Sequence, residues 1–171
     1  KECDVLTFHT PLYKKGIYRT YHLVNNELLF SLKRKPYLIN SSRGEVVDTA
    51  SLLAALSAGK VKDVIIDTWE NEPEINKDLL KAAYLATPHI AGYSADGKAN
   101  ASRMSLEALC KFFHIDASFE IAPPALPCMD IPDDEDEAFL QRYNPTRDSE
   151  WLKNAPEKFE WFRGHYPLRR E

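Results

Sequence analysis

Four short apolar runs recur along the chain, each stopped by a polar or proline-bearing tip, and segments of helical spacing separate them. The first is Val5 to His9, ended by Thr10-Pro11, and the second is Tyr37-Leu38-Ile39-Asn40. The third, Asp63-Val64-Ile65-Ile66-Asp67, is rich in β-branched residues, and the fourth is Tyr84-Leu85-Ala86, ahead of Thr87-Pro88. Such runs read as buried strands.

Between them, Leu28, Leu29 and Leu32 share one helical face behind an Asn25 or Asn26 cap, and Pro36 ends that pattern. Asp48 is placed to cap a helix carrying Leu52, Leu53 and Leu56, with Gly59 just past its end. Asn76 to Ala83 fits a short helix, and Asp96 to His114 a long one with Met104, Leu106, Leu109, Phe112 and Phe113 on a broad face. Strands alternating with helices at this spacing predict an α/β fold with a parallel sheet built from βαβ crossovers. Tyr13 to Tyr21 is a polar, aromatic connection.

The pattern breaks after Phe119. Pro123, Pro124, Pro127 and Pro132 precede the acidic run Asp133 to Glu137, which marks a boundary. The tail from Ala138 to Glu171 carries many aromatics, too many for so short a segment to bury alone, and is expected to complete its core against another copy or domain. The chain also enters a strand almost at once, with no initiator Met, as a carboxyl-terminal piece of a longer protein would.

Composition changes this picture little. Of 171 residues, 44% are hydrophobic and 28% charged, with a net charge of −4. That leaves no basic stripe for nucleic acid, and no run nears the roughly 18 apolar residues of a membrane helix. Cys3, Cys110 and Cys128 are odd in number and widely spaced, so they read as reduced thiols of a cytoplasmic protein rather than as disulfides or metal ligands.

Three successive strand tips each deliver a distinctive side chain: Arg43, Glu72 and His89. Parallel strands put their carboxyl ends side by side, so the three are expected to converge in one cleft. A carboxylate bonded to one imidazole nitrogen fixes the tautomer and favours the protonated ring, while the other nitrogen faces substrate. A guanidinium grips a carboxylate in two bonds. The set suits a 2-hydroxy acid, with arginine orienting the carboxylate and histidine taking the hydroxyl proton as hydride leaves the same carbon. The hydride needs a nicotinamide, because side chains do not accept it. Taken singly, His89 is an ordinary loop residue, Arg43 a surface turn and Glu72 a solvated carboxylate; their order at successive tips favours the chemistry.

The stretches Ile39 to Asp48, Asp67-Thr68-Trp69-Glu70-Asn71-Glu72-Pro73 and Thr87-Pro88-His89-Ile90-Ala91-Gly92 resemble the signature of the D-isomer-specific 2-hydroxyacid dehydrogenases, and His9-Thr10-Pro11-Leu12 looks like an earlier strand tip of that family. The resemblance implies Arg43, Glu72 and His89 as catalytic residues. It implies NAD as cofactor, lined by Thr10, Ser41, Ser42, Arg43, Asp67 and Gly92, with Asp67 near the carboxamide. Gly92 through Asn100, and a tail containing Tyr143 to Asp148 and Phe159 to Glu171, are similar to one branch of the family. That branch acts on a small phosphorylated 2-hydroxy acid and forms homodimers through a carboxyl-terminal domain. Tyr93 would then bind substrate.

No GxGxxG occurs among the six glycines. The expected organisation is therefore the second half of a Rossmann-like NAD-binding domain over residues 1–92. A helix returning to the substrate domain, and a linker, would occupy 93–122, and a small α-containing dimerisation domain 123–171. Alone, such a chain is expected not to turn over. Arg142, Arg147, Arg169 and Arg170 fit salt bridges within a dimer, or one of them reaches a neighbouring site to hold the phosphate. The rivals are another 2-hydroxyacid dehydrogenase, of phosphoglycerate or glyoxylate type, and a non-catalytic dimerisation or interaction piece.

Overall fold

A computed structural model describes residues 2–125, 132–167 and 169–170. Cys128, Pro127, Leu168 and Glu171 lie outside the described residues. The described chain falls into two compact units: Lys1–Ile90 with Pro145–His165, and Ala91–Asn144 with Tyr166–Glu171.

The first unit is built on a parallel sheet of four strands in sequential order: β1 (Val5–Phe8), β2 (Tyr37–Asn40), β3 (Asp63–Ile66) and β4 (Leu85–Ala86). Their registers align Phe8 with Asn40, Asn40 with Ile66, and Ile66 with Ala86. All four strands therefore stop in one row, and the residues that follow them share one edge.

Three helices make the crossovers, and each starts where a side chain satisfies the first free amides. Asn25 caps α1 (Asn26–Phe30) through the Leu28 amide at 3.0 Å. Asp48 caps α2 (Thr49–Ser57) through Ala50, and Gly59, at φ +63°, closes the turn after that helix. Asn76 caps α3 (Lys77–Ala82) through Asp78 and Leu79.

Leu29, Leu38, Leu52, Val64 and Ile66 are buried between sheet and helices. Part of the tail joins this core. Helix α6 (Pro145–Asn154) packs on β4, the Ala86 N–H donates to Ser149 Oγ at 3.0 Å, and Leu152 and Phe159 are fully enclosed. Ser149 thereby occupies an amide on the sheet's outer strand, a position that otherwise invites pairing with another chain. Within the tail, Pro145–His165 belong to the first unit, whose core Leu152 and Phe159 join.

The second unit holds α4 (Ala95–Phe113) and α5 (Glu135–Arg142). Helix α4 begins one residue earlier than the pattern suggests, because Ser94 Oγ caps the Gly97 amide at 2.8 Å. The end of the chain is pinned beside that cap: the Ala95 N–H donates to the Arg169 carbonyl at 2.8 Å, and Arg170 forks onto Asp96 at 2.7 and 2.8 Å. The Asp96 carboxylate raises the Arg170 guanidinium above its usual range. Cys3 and Cys110 are free thiols. Among the described residues, no helix is long and apolar enough to cross a membrane.

Candidate active site

The first unit shapes its site from the second strand tip onward. Asn40, buried at the end of β2, donates to the carbonyls of Arg43 (3.1 Å) and Thr68 (3.3 Å) and accepts from the Ser42 hydroxyl at 2.9 Å. One side chain thereby folds the Ser41–Gly44 turn and ties it to the next tip. Gly44 presses directly on the third loop. A Cβ at this position would lie 1.8 Å from the Trp69 carbonyl oxygen, so no larger residue fits without moving that backbone. Arg43 is exposed, and its Nη1 donates to the Ser42 carbonyl at 2.6 Å.

After β3 the chain makes a tight loop through Asn71, at φ +60°. Glu72 is held at both oxygens: Oε1 accepts the Trp69 N–H at 2.7 Å, and Oε2 lies 2.8 Å from His89 Nδ1. The side chains of Glu72 and His89 are only 18% and 25% exposed, which shields their interaction from solvent. His89 itself sits at φ +55°, in the left-handed region that non-glycine residues rarely adopt. Surrounding bonds hold it there: its N–H donates to the Asp67 carbonyl at 2.8 Å, and Asp67 Oδ1 accepts from the Thr87 hydroxyl (2.7 Å) and the Ile90 N–H (2.8 Å).

Arg43, Trp69, Asn71, Glu72 and His89 line one cleft of about 280 Å³. With Nδ1 donating to Glu72, the neutral imidazole keeps Nε2 as an acceptor. The arrangement offers a proton acceptor, a carboxylate that orients it, and a guanidinium in the same cleft, which is what proton removal beside a substrate carboxylate requires.

The other residues singled out in the sequence lie as follows. Asp67 and Ser42 are buried, and the polar groups just described engage loop atoms. Ser41 is half-buried at the β2 tip. Thr10 follows β1, and its Oγ1 is enclosed with no hydrogen-bond partner among the described residues, the kind of unsatisfied atom a bound ligand can engage. Gly92 and Tyr93 belong to the second unit, where Tyr93 meets Tyr166 edge to face at 6.2 Å and Lys98 sits 4.2 Å from its ring centroid. Arg169 lies over Tyr143, Arg147 lies beside Asp148 and over Trp151, and Arg142 is exposed on the last turn of α5.

Sequence reasoning passed over a second histidine–carboxylate pair. His22 Nε2 is 2.6 Å from Glu70 Oε1, and Glu70 Oε2 accepts the Thr49 N–H at 2.8 Å. Ligand atoms of His22, Glu70 and Asp48 lie within 4.8 Å of one another, but Asp48 caps α2 and Glu70 takes up that helix's first amide. Their oxygens are engaged in seating the helix. Nothing in the sequence signals this pair, since 48 residues separate its members.

The model of the D-isomer specific 2-hydroxyacid dehydrogenase NAD binding domain matches residues 1–91, more than half of the chain. The chain belongs to this family. Over its whole length it is 57% identical to an erythronate-4-phosphate dehydrogenase of Bacteroides thetaiotaomicron and 39% identical to one of Proteus mirabilis, covering 49% of each. The chain thus spans about half the length of the curated relatives it matches. Among solved structures it is similar to the D-lactate dehydrogenase of Aquifex aeolicus complexed with NAD and lactic acid. There the TM-score is 0.54 at 27% identity, over 66% of this chain and 38% of the other. It is also similar to the D-mandelate dehydrogenase of Rhodotorula graminis, with a TM-score of 0.56 at 25% identity over 64% and 31%. Both fit a Rossmann-like parallel sheet in this family member.

Proposed function

We propose that the protein carrying this chain oxidises 4-phospho-D-erythronate at C2 to (R)-3-hydroxy-2-oxo-4-phosphooxybutanoate with NAD, a step of pyridoxal phosphate biosynthesis in the cytoplasm. The observation that carries the chemistry is the Glu72–His89 pair at 2.8 Å in a cleft shared with Arg43. The substrate is inferred from 57% identity along the entire chain to a relative named for erythronate 4-phosphate.

In this reading Arg43 forks onto the substrate carboxylate and sets which face of C2 meets the cofactor. His89 Nε2 accepts the C2 hydroxyl proton, and the Glu72 carboxylate stabilises the imidazolium that forms. Bound NAD supplies the acceptor for the hydride leaving C2. Thr10, Ser41, Ser42, Arg43, Asp67 and Gly92 would hold that cofactor, and the enclosed Thr10 hydroxyl is an atom it could satisfy. Residues 1–92 are assigned to the NAD-binding domain and 93–122 to the returning helix and linker. Residues 123–171 are assigned to homodimerisation, and Tyr93 to substrate.

The test is NADH formation by the intact protein on 4-phosphoerythronate, 3-phosphoglycerate and glycolate. We expect kcat/KM for 4-phosphoerythronate to exceed the others by about ten-thousandfold, the scale on which a site built for particular polar groups rejects analogues lacking them. Preference for either of the other two would transfer the protein to that branch of the family.

A further inference from the structure

We propose that Trp69 is a positioning residue that holds the Glu72–His89 pair from both ends. Its backbone N–H donates to the Glu72 oxygen that the imidazole does not use, at 2.7 Å. Its indole N–H donates to the Thr87 carbonyl, two residues before His89, at 2.9 Å. The assignment rests on reading Glu72 and His89 as the acid–base pair.

The case turns on how the His89 tip is anchored. His89 occupies a backbone region that costs free energy, and such a residue stays put only when its surroundings over-determine it. Asp67 and Ile66 supply bonds from β3 and its tip: the Asp67 carbonyl takes the His89 N–H, its carboxylate takes the Thr87 hydroxyl, and the Ile66 carbonyl takes the Thr87 N–H. Pro88 contributes no N–H of its own. The Thr87 carbonyl is secured by the indole of Trp69.

Trp69 is itself immobilised, at 3% exposure, with its carbonyl against Gly44 in the Arg43 loop. Tryptophan suits the position because it joins a large apolar body to a single donor. A phenylalanine would fill most of the space and leave a buried carbonyl without its partner. The carboxylate is thus referred to the backbone of Trp69 and the histidine tip to its indole, so one immobilised residue fixes their separation more closely than either loop could alone.

Two variants of the intact protein test this: Trp69→Phe, and replacement of Trp69 by β-(3-benzothienyl)alanine, which keeps the ring shape and lacks only the N–H. The first readout is the ¹⁵N spectrum of the His89 imidazole without substrate, which reports how much of the neutral ring carries its proton on Nδ1. The second is kcat and KM with 4-phosphoerythronate and NAD. We expect the Nδ1-protonated share to fall in both variants and kcat to drop roughly fivefold, the scale of one hydrogen bond. KM for NAD should stay within about twofold. An unchanged imidazole spectrum in the folded benzothienyl variant overturns the proposal, whatever kcat does. If the unmodified protein oxidises none of the 2-hydroxy acids, the functional reading fails, and the imidazole spectra still decide the assignment of Trp69.

Discussion

The loop after β3 carries the carboxylates of two histidine–carboxylate pairs, Glu70 and Glu72, one on each side of Asn71, and the pairs share more than their chemistry. Glu70 meets His22 at 2.6 Å and Glu72 meets His89 at 2.8 Å, and both histidines occupy the left-handed backbone region, at φ +51° and +55°. They differ in what else touches the carboxylate and the ring. The second oxygen of Glu70 takes the first amide of α2, and His22 stacks on Tyr21 with ring centroids 4.0 Å apart. That pair is spent on seating a helix. The second oxygen of Glu72 takes a loop amide, and its histidine opens on a cleft that also contains an arginine. A short imidazole–carboxylate contact is therefore not a sign of catalysis by itself; the two pairs are about equally exposed, and what separates them is the arginine that shares the cleft of His89.

Paired substitutions sharpen this contrast. Glu72→Gln removes the charge that stabilises the imidazolium, and kcat of the intact protein should fall by about a hundredfold, at a stability cost of only about 1 kcal/mol. A fall below threefold would place the two pairs in one structural class. Gly44→Ala should strike both pairs at once, because a methyl group has no room beside the Trp69 carbonyl and must displace the loop that carries Glu70 and Glu72. Its cost in urea unfolding should be about 2 kcal/mol, within the range for overpacking a dense interior. Glu70→Gln should be the mildest. It should cost about 1 kcal/mol of stability, the scale of weakening one part-buried hydrogen-bonded contact, and leave kcat within about twofold. A large loss of kcat with unchanged stability would bring His22 and Glu70 into the chemistry.

Much of this molecule is written locally. The caps at Asn25, Asp48 and Asn76 and the left-handed Gly59 follow from rules that need only a few neighbouring residues, and the strands follow from short apolar runs. That Arg43, Glu72 and His89 line one cleft was legible because parallel pairing turns chain order into spatial order at the tips. What sequence could not show depends on contacts between distant segments. The indole of Trp69 reaches across 18 residues to Thr87, and the Ser149 hydroxyl finds Ala86 across 63. Ser42 and Asp67 stand in motifs that suggest ligand contact, yet their engagement with the loops around them appears only once the loops are stacked. No local rule announces that Leu152 and Phe159 join the core of the first unit.

The contact between Gly44 and Trp69 also bears on engineering. The loop presenting Arg43 and the loop presenting Glu72 touch backbone to backbone with no side chain between them to absorb a change. They therefore form one transplantable part rather than two. A designer who grafts the arginine turn onto another scaffold without residues 69–72 moves a cation with no fixed bearing. Loop shuffling within the fold should likewise exchange both segments together.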